Sequence, residues 1–258
     1  MASRVFVTGA SSGLGEALAR EYARRDPNAR IALVARRAEA IDALAAALPP
    51  GVGVPYPLDV TDRVALHAAA ADFIARFGVP EVVIANAGIN APTLTGTPGD
   101  ELGFERIQRV NVVAVFDTFA PFVAAMRARG GGTLAAVASV AGIRGMPSLG
   151  GYCASKAAVI AYCESLRLEL RGSGVRVVTI APGYVRTPMT ARNRYPMPFL
   201  IDAATFAAGA ADAIARGRSF AVIPWPMAWV ARLLRVMPDA LFDRVFARAP
   251  HKPREPAP

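Results

Sequence analysis

The stretch "RVFVTGASSGLG" at residues 4–15 joins a short apolar run to a glycine-rich turn that opens a helical segment. Its apolar residues are typical of a strand that is buried on both faces of a sheet. Glycines at positions 9, 13 and 15 would let the backbone turn tightly and approach a pyrophosphate, which the N-terminal end of a helix attracts. Their spacing differs from the G-x-G-x-x-G dinucleotide fingerprint, and the alternative is a turn that only closes a strand–helix connection. The strand–turn–helix context favours phosphate binding.

The alternation of apolar runs and helical stretches continues along the chain. Strand-like runs lie at 5–8, 31–35, 53–58, 82–86, 133–138, 175–181 and 220–223. Helical stretches lie between them, near 13–25, 38–48, 62–77, 102–129, 152–171 and 203–216. Apolar strands separated by helices pair in parallel, and the crossover rule places helices on both sides of the sheet. The pattern predicts an α/β fold, a doubly wound, seven-stranded parallel sheet with helices on both faces, in one domain over residues 1–258 that ends in short C-terminal helices.

The composition is that of a globular protein, with 53% hydrophobic residues in a chain of 258. The net charge is +9 at pH 7, but the arginines are spread over the whole chain and form no dense basic run. We therefore expect no nucleic-acid partner. No targeting segment precedes the first strand-like run, and we expect a cytoplasmic protein.

The two cysteines, Cys153 and Cys163, lie on one predicted helix. At the helical rise they are about 15 Å apart, which excludes a disulfide between them. We expect free thiols in a reducing cytosol. No spacing of Cys and His residues suggests a metal site, so none is predicted.

The end of the second strand-like run is basic. An NAD-specific site of this type usually has an acidic residue there, which accepts from the ribose 2′-hydroxyl. Here Ala35 is followed by Arg36 and Arg37, and the first acid, Glu39, already lies in the next helical stretch. A pair of guanidinium groups suits a 2′-phosphate by charge and by fork geometry, and the alternative is two solvated arginines. The residues favour NADP(H).

A second pair of residues lies at the start of the helical stretch "YCASKAAVIAY". Tyr152 and Lys156 are four residues apart, and residues at that spacing are neighbours on one helix face. Lys156 is one of only two lysines in the chain. Taken alone, the pair could be a lysine that extends along an interfacial tyrosine.

Several further motifs occur in one order and together resemble the short-chain dehydrogenase/reductase family over about residues 3–190. They are "TGASSGLG" at 8–15, "LDV" at 58–60, "NAG" at 86–88, "NVVAVF" from Asn111, Ser139 thirteen residues before Tyr152, and "PGYVRTPM" at 182–189. The resemblance implies a Rossmann-type sheet and an oxidoreductase that transfers hydride between a nicotinamide and a carbonyl or alcohol carbon. The alternative is a non-catalytic dinucleotide-binding sensor or scaffold on the same fold. The intact set of serine, tyrosine and lysine favours the enzyme.

The resemblance also implies the role of each catalytic residue. Tyr152 is expected to be the general acid/base, although a phenol with a pKa near 10 is a poor base at neutral pH. A cation about 4 Å away is worth roughly 4 kcal/mol at an effective dielectric of 20, so Lys156 could lower that pKa by two or three units. Ser139 would donate to the substrate oxygen, and Lys156 would also hold the nicotinamide ribose. Asn111 would hold a water that links Lys156 to solvent; the alternative is an ordinary helix residue that satisfies a backbone carbonyl.

The resemblance places the cofactor against loop residues that follow the strands. The predicted NADP(H) contacts are Gly9, Ser11, Ser12, Gly13, Leu14, Gly15, Arg36, Arg37, Asp59, Val60, Asn86, Ala87, Gly88, Tyr152, Lys156, Pro182, Gly183, Val185 and Thr187. We also expect the chain to assemble as a homodimer or homotetramer.

The substrate is expected to bind under a loop at about residues 189–202. The loop is rich in methionine and aromatic residues, and Ile143 and Met146 would flank it from the loop that follows Ser139. Met189 and Tyr195 would complete an apolar pocket for a small lipophilic molecule, while the alternative is ordinary packing of the loop on the domain.

The last part of the chain, at about residues 225–250, has two short amphipathic helices separated by Pro238. Their apolar faces could pack on the parent domain or a neighbouring subunit, or could lie on an anionic membrane surface as a peripheral contact. We expect packing on the protein.

Overall fold

The computed structural model describes residues 3–191, 193 and 196–247. Its nine strands are β1 (Arg4–Thr8), β2 (Arg30–Ala35), β3 (Gly53–Pro57), β4 (Val82–Ala85), β5 (Gly132–Val137), β6 (Val175–Pro182), β7 (Val185–Arg186), β8 (Ile201–Asp202) and β9 (Phe220–Ile223). Its α-helices are α1 (Gly13–Arg25), α2 (Ala38–Ala46), α3 (Arg63–Phe77), α4 (Asp100–Gln108), α5 (Ala114–Arg129), α6 (Gly150–Glu169), α7 (Ala203–Ala215), α8 (Pro226–Val236) and α9 (Asp239–Phe246).

Seven of the strands form one parallel sheet in the order β3-β2-β1-β4-β5-β6-β9. The chain first builds outward from β1 to β3 and then returns to the other side of β1 with β4. The carboxyl ends of β1 and β4 therefore flank the switch point, where a crevice opens between the loops. The predicted doubly wound, seven-stranded α/β fold is confirmed.

Both faces of the sheet are covered because successive side chains of each strand point to opposite sides. Val5 and Val7 of β1 are buried in a cluster with residues of α1, α2 and α7. Phe6 points to the other face, into a cluster with residues of α3, α5 and α6. There its ring contacts Phe73 edge-on at 5.9 Å between centroids and Phe122 at 5.0 Å.

The helix predicted over residues 102–129 is interrupted in the structure. A π-helical turn at Arg109–Val113 separates α4 from α5 and carries the fully buried Asn111. Such wide turns occur mostly as single insertions in α-helices and often at functional sites. The segment Asp100–Arg129 is long and apolar enough to cross a membrane by length and composition alone. Phe119 and Phe122 nevertheless lie in the core, which is typical of a central helix of a globular protein.

Two additional features follow β6 along the chain. Strands β7 and β8 pair in parallel and close the base of the loop between them. Beyond β9, α8 packs on the sheet edge with Met227 and Ala231, which meet Val140 near the end of β5. The tail thus has an inner face that belongs to the folded domain.

Candidate active site

A cleft with a volume of about 580 Å³ opens at the carboxyl ends of β1 and β4. It collects loop residues from six strand ends, which the parallel arrangement brings to one edge of the sheet. Eighteen of the nineteen predicted cofactor residues line the cleft, and they are Gly9, Ser11, Ser12, Gly13, Leu14, Arg36, Arg37, Asp59, Val60, Asn86, Ala87, Gly88, Tyr152, Lys156, Pro182, Gly183, Val185 and Thr187. Gly15 lies beneath this surface instead.

The glycine turn packs tightly against the loop that follows β4. Gly9 has a φ of +71°, and a Cβ placed on it would lie 2.8 Å from the Ala87 Cα. A Cβ on Gly15 would overlap the Gly9 carbonyl oxygen. Only glycine fits these two positions, because a side chain would force apart the backbones that form the cleft floor. The arrangement leaves room for a ligand whose phosphates lie against the backbone, as a dinucleotide requires.

A buried hydroxyl that sequence reasoning missed ties the same two loops together. Thr8 Oγ1 accepts from the backbone amides of Asn86 at 3.1 Å and Ala87 at 3.2 Å. The Asn86 side-chain amide donates back to the Thr8 carbonyl at 2.9 Å. The threonine directly before the first glycine was the available signal, since it is the last residue of the strand.

The two predicted arginines lie at one end of the cleft. The Arg37 guanidinium donates to the Ser11 carbonyl at 2.9 Å and to its hydroxyl at 3.1 Å. Arg36 Nη1 lies 3.7 Å from a carboxylate oxygen of Asp59. Burial opposes ionisation of Asp59, but hydrogen bonds from Thr61 and the charge of Arg36 outweigh it and lower the pKa of Asp59. Both guanidinium groups therefore adjoin the glycine turn.

The cleft also contains two arginines that sequence reasoning did not assign. Arg106 is in the last turn of α4, Arg109 begins the π-helical turn, and both line the cleft. The charge of Arg106 also contributes to lowering the pKa of Asp59, so it lies near the Arg36 end. Their three-residue spacing on the helix that carries Asn111 was the only signal in the sequence.

Lys156 and Tyr152 are brought together on the first turns of α6. Lys156 is almost fully buried, and its ammonium donates to the Val137 carbonyl at 2.9 Å. Its Nζ lies 5.7 Å from the centroid of the Tyr152 ring. Burial disfavours the charged form and lowers the pKa of Lys156 to about 8. The lysine is therefore still protonated at neutral pH, within range of the tyrosine.

Ser139 lies on the same wall of the cleft, directly after β5. It caps the short 3₁₀ turn Val140–Gly142, and its Oγ accepts from the Ala141 amide at 3.1 Å. The hydroxyl proton is then available to an acceptor in the cleft. A hydroxyl, a phenol and an ammonium on one wall can deliver or accept a proton at a substrate oxygen and stabilise the charge that develops there.

Asn111 does not line the cleft but holds its wall from behind. Its Oδ1 accepts from the Ile89 amide at 2.8 Å, and its Nδ2 donates to the Ile89 carbonyl at 3.0 Å. The same Nδ2 donates to Ser155 Oγ at 3.0 Å, and that hydroxyl donates to the Tyr152 carbonyl at 2.7 Å. Asn111 thus links the π-helical turn, the loop after β4 and the catalytic helix. Its relay through water remains a prediction.

Gly88 separates Asn111 from Lys156. A Cβ at Gly88 would lie 3.4 Å from Asn111 Oδ1 and 3.5 Å from Lys156 Nζ. The two polar side chains therefore approach the same point of the loop.

The predicted substrate residues are not all in one place. Met189 lines the cofactor cleft. Ile143 lies in a second groove beside α8, where it packs near Met227. Met146 is half-buried and lines neither cavity, and Tyr195 lies outside the described residues. The position of Ile143 outside the cofactor cleft is explained by α8, because this helix packs on the loop after Ser139 and covers the Ile143 side chain.

Comparison with known proteins agrees with this geometry. Residues 3–197 match the family model described as short chain dehydrogenase. The chain belongs to the short-chain dehydrogenase/reductase family. This dehydrogenase is 38% identical over 247 residues to a Myxococcus xanthus protein named an uncharacterized oxidoreductase, with coverage of 94% of this chain and 95% of the relative.

Two solved structures share the fold of this dehydrogenase. A short chain dehydrogenase from Burkholderia cenocepacia in complex with NADP has a TM-score of 0.81 and 25% identity, over 95% of this chain and 97% of that one. A short chain dehydrogenase/reductase from Burkholderia phymatum in complex with NAD has a TM-score of 0.79 and 24% identity, over 98% of each chain. Its family makes the protein an oxidoreductase that acts on CH–OH and C=O groups.

Proposed function

We propose that this dehydrogenase is an NADP(H)-dependent carbonyl reductase or alcohol dehydrogenase for a lipophilic substrate, with Tyr152 as the acid/base. The observation that carries the proposal is the shared wall of Ser139, Tyr152 and Lys156, in a cleft whose other end has Arg36 and Arg37. A pure dinucleotide binder has no need of a phenol beside a buried ammonium.

Each residue on this wall has a separate role in carbonyl reduction. The nicotinamide, when bound, supplies a hydride to the carbonyl carbon or takes one from the alcohol carbon. Tyr152 donates its hydroxyl proton to the substrate oxygen in the reductive direction and receives it in the oxidative direction. The Lys156 ammonium stabilises the phenolate that remains, and the Ser139 hydroxyl donates a hydrogen bond to the same oxygen.

The preference for NADP(H) is supported by the charge at the far end of the cleft. No carboxylate follows β2, where an acid would accept from a 2′-hydroxyl. Arg36 and Arg37 take that place, and Arg106 adds a third positive charge near Asp59. A 2′-phosphate at this position would meet charge-assisted donors.

The lipophilic substrate is supported by the apolar side chains at the mouth of the cleft. Ile89 and Met189 line it, and Phe199 of the loop between β7 and β8 is exposed. Each methylene buried against such side chains is worth about 0.8 kcal/mol, so kcat/KM should rise up to about 4-fold per added methylene.

The test is the oxidation of NADPH and NADH by the full-length protein with aldehydes and ketones of graded chain length. We expect turnover with NADPH, a lower kcat/KM with NADH, and an increase with chain length until the pocket is filled. A preference for NADH, or a preference for the shortest carbonyls, would contradict the corresponding part of the proposal.

A further inference from the structure

The outer face of α8 and α9, which we call the tail surface, exposes an unusual number of large apolar side chains. It consists of Trp225, Trp229, Leu233, Val236, Leu241 and Val245. The first four, at the N-cap of α8 and along the helix, recur at spacings of four, four and three residues, which places them on one side of it. They are 73%, 63%, 59% and 75% exposed. A continuous apolar stripe of this kind marks an interaction site.

The tail surface is backed by side chains that pack on the domain. On α8, Met227 and Leu234 are buried against the domain, opposite the exposed stripe. On α9, Asp239 pairs with Arg144 at 2.9 Å, and the Arg144 guanidinium lies 4.3 Å from the centre of the Phe242 ring. The exposed side chains are therefore held in place by an inner face that is already packed.

Positive charge lies beside the apolar stripe. A groove of about 690 Å³ between α7 and α8 is lined by Arg216, Arg218, Arg232 and Arg235. Within the described part of the chain, none of these four arginines forms an ion pair. Asp212 is the one acidic residue among the described residues that line the groove, and it pairs with Arg25 at 2.8 Å. The groove therefore keeps an uncompensated cluster of cations.

This combination distinguishes between two classes of occupant. A second copy of the chain on a two-fold axis would bring the same arginines toward each other, since such an interface pairs one surface with itself. Like charges placed opposite each other oppose association. An anionic membrane surface instead offers negative headgroups to the arginines and an apolar layer to the stripe. Tryptophan is also the residue type that prefers the boundary between headgroups and acyl chains.

We propose that the tail surface binds the protein peripherally to anionic membranes. Trp225, Trp229, Leu233 and Val236 enter the headgroup boundary, and Arg232 and Arg235 contact lipid phosphates.

The docked helix would lie next to the active site. A Cβ placed on Gly183, which lines the cofactor cleft, would be 2.7 Å from Met227 Cγ on the inner face of α8. Docking would therefore bring the mouth of the cleft near the lipid surface. The proposal stands on the tail surface itself and depends on neither the cofactor preference nor the substrate.

The chain carries its own reporter for this surface. It has two tryptophans, Trp225 and Trp229, and both are in the proposed contact. Vesicles of equal parts phosphatidylcholine and phosphatidylglycerol should shift the tryptophan emission of the full-length protein to the blue and sediment with it. Vesicles of phosphatidylcholine alone should do so far more weakly, and salt should reverse the binding through screening.

Two variants test the charged and the apolar component of the surface separately, and both keep the two tryptophans that report binding. Arg232→Gln/Arg235→Gln should weaken the vesicle affinity about 25-fold, at about 5-fold per arginine near an anionic surface. Leu233→Ser/Val236→Ser should weaken it roughly 10-fold or more by removing inserted side chains. The matched control is Arg127→Gln/Arg167→Gln, which removes two exposed arginines of α5 and α6 on the other face of the sheet. It should leave vesicle binding within about 2-fold, apart from the small effect of net charge.

Other results would overturn the proposal. These are no emission shift with anionic vesicles, equal binding to neutral vesicles, or equal losses in the tail and control variants. If Leu233→Ser/Val236→Ser instead converts a dimer to a monomer in sedimentation while vesicles have no effect, the tail surface belongs to a second copy. Unchanged circular dichroism and turnover in the variants would show that the fold is intact.

Discussion

Positive charge lies close to apolar or aromatic side chains at two places in the molecule. One is the catalytic wall, formed by Ser139, Tyr152 and Lys156, and the other is the tail surface, and their environments are opposite. On the catalytic wall a single ammonium, Lys156, is buried, and its position is set by the Val137 carbonyl. Beside the tail surface, Arg232 and Arg235 are exposed and form no ion pair among the described residues. Desolvation makes the buried charge strongly dependent on position, whereas exposed charges act additively and are screened by salt.

This difference predicts large, specific effects of single substitutions in the cleft and small effects on the outer side of the tail. The largest is expected for Tyr152→Phe, which removes the proton donor and keeps the ring. General acid–base groups contribute about 10²- to 10⁴-fold, so kcat on a confirmed substrate should fall by at least about a hundredfold. NADPH affinity, measured by fluorescence, should change little. A variant that keeps more than a small fraction of the wild-type rate would show that another group transfers the proton.

Lys156→Met should abolish turnover and yet stabilise the fold at neutral pH. The pKa of Lys156 is about 8 in the folded protein against 10.5 for an ordinary lysine, so protonation of the folded state costs about 3 kcal/mol. Below pH 8 the lysine is protonated in both the folded and the unfolded protein, and the full cost of charging it in the folded state is present. Between pH 8 and 10.5 the folded protein has lost the proton while the unfolded chain still binds it, so the cost falls as the pH rises. The loss of the hydrogen bond to Val137 offsets part of the gain.

The measurement is urea unfolding of the wild type and of Lys156→Met across this pH range. The free energy of unfolding of the variant minus that of the wild type should shrink between about pH 8 and 10.5. Other titrating groups contribute equally to both proteins and cancel when the two values are subtracted. An advantage that does not vary with pH would mean that burial does not lower the lysine pKa as described.

Two adjacent leucines of α8 lie on different faces of the helix, one toward the domain and one toward solvent. Leu234 is 6% exposed and Leu233 is 59% exposed. Leu234→Ala should lower the free energy of unfolding by about 2 kcal/mol, because it leaves a cavity against the domain. Leu233→Ala should change it by less than about 0.5 kcal/mol, as is usual for a surface substitution. Thermal or urea unfolding measures both, and equal costs would show that the outer face is also covered in solution.

Arg36→Asp is expected to have a moderate effect, on cofactor binding. It should weaken NADPH binding about 5- to 150-fold, which corresponds to about 1–3 kcal/mol for a charge-assisted hydrogen bond, and should leave NADH binding nearly unchanged. Titration with both cofactors measures this directly. An equal loss for both would mean that Arg36 supports the glycine turn and does not select the 2′-phosphate.

Much of the fold follows from local pattern. Strand β1 was predicted at residues 5–8 and is observed at Arg4–Thr8, because an apolar run next to a glycine turn has few alternatives. The helix over residues 102–129 was predicted without its interruption. The π-helical turn carries Asn111, which bonds to the backbone of Ile89, a contact across 22 residues that no local pattern reports.

The site divides in the same way. The tyrosine–lysine pair was predictable because four residues along a helix bring two side chains to one face. Thr8 and Arg106 were missed, since each acquires its place in the cleft only when segments far apart in the chain meet. Ile143 was expected at the substrate pocket and lies instead beside α8, whose packing on the loop after Ser139 is a tertiary contact.

The sequence by itself determined the alternation of strands and helices, the glycine turn, the spacing of Tyr152 and Lys156, and the two amphipathic helices of the tail. These depend on interactions between residues that are close in the chain, for which periodicity and residue type are sufficient. Tertiary structure alone decided that Lys156 is buried with a lowered pKa, and which side of α8 faces the domain. Both depend on desolvation and packing by residues far apart in the chain, and neither quantity exists until the sheet has brought those residues together.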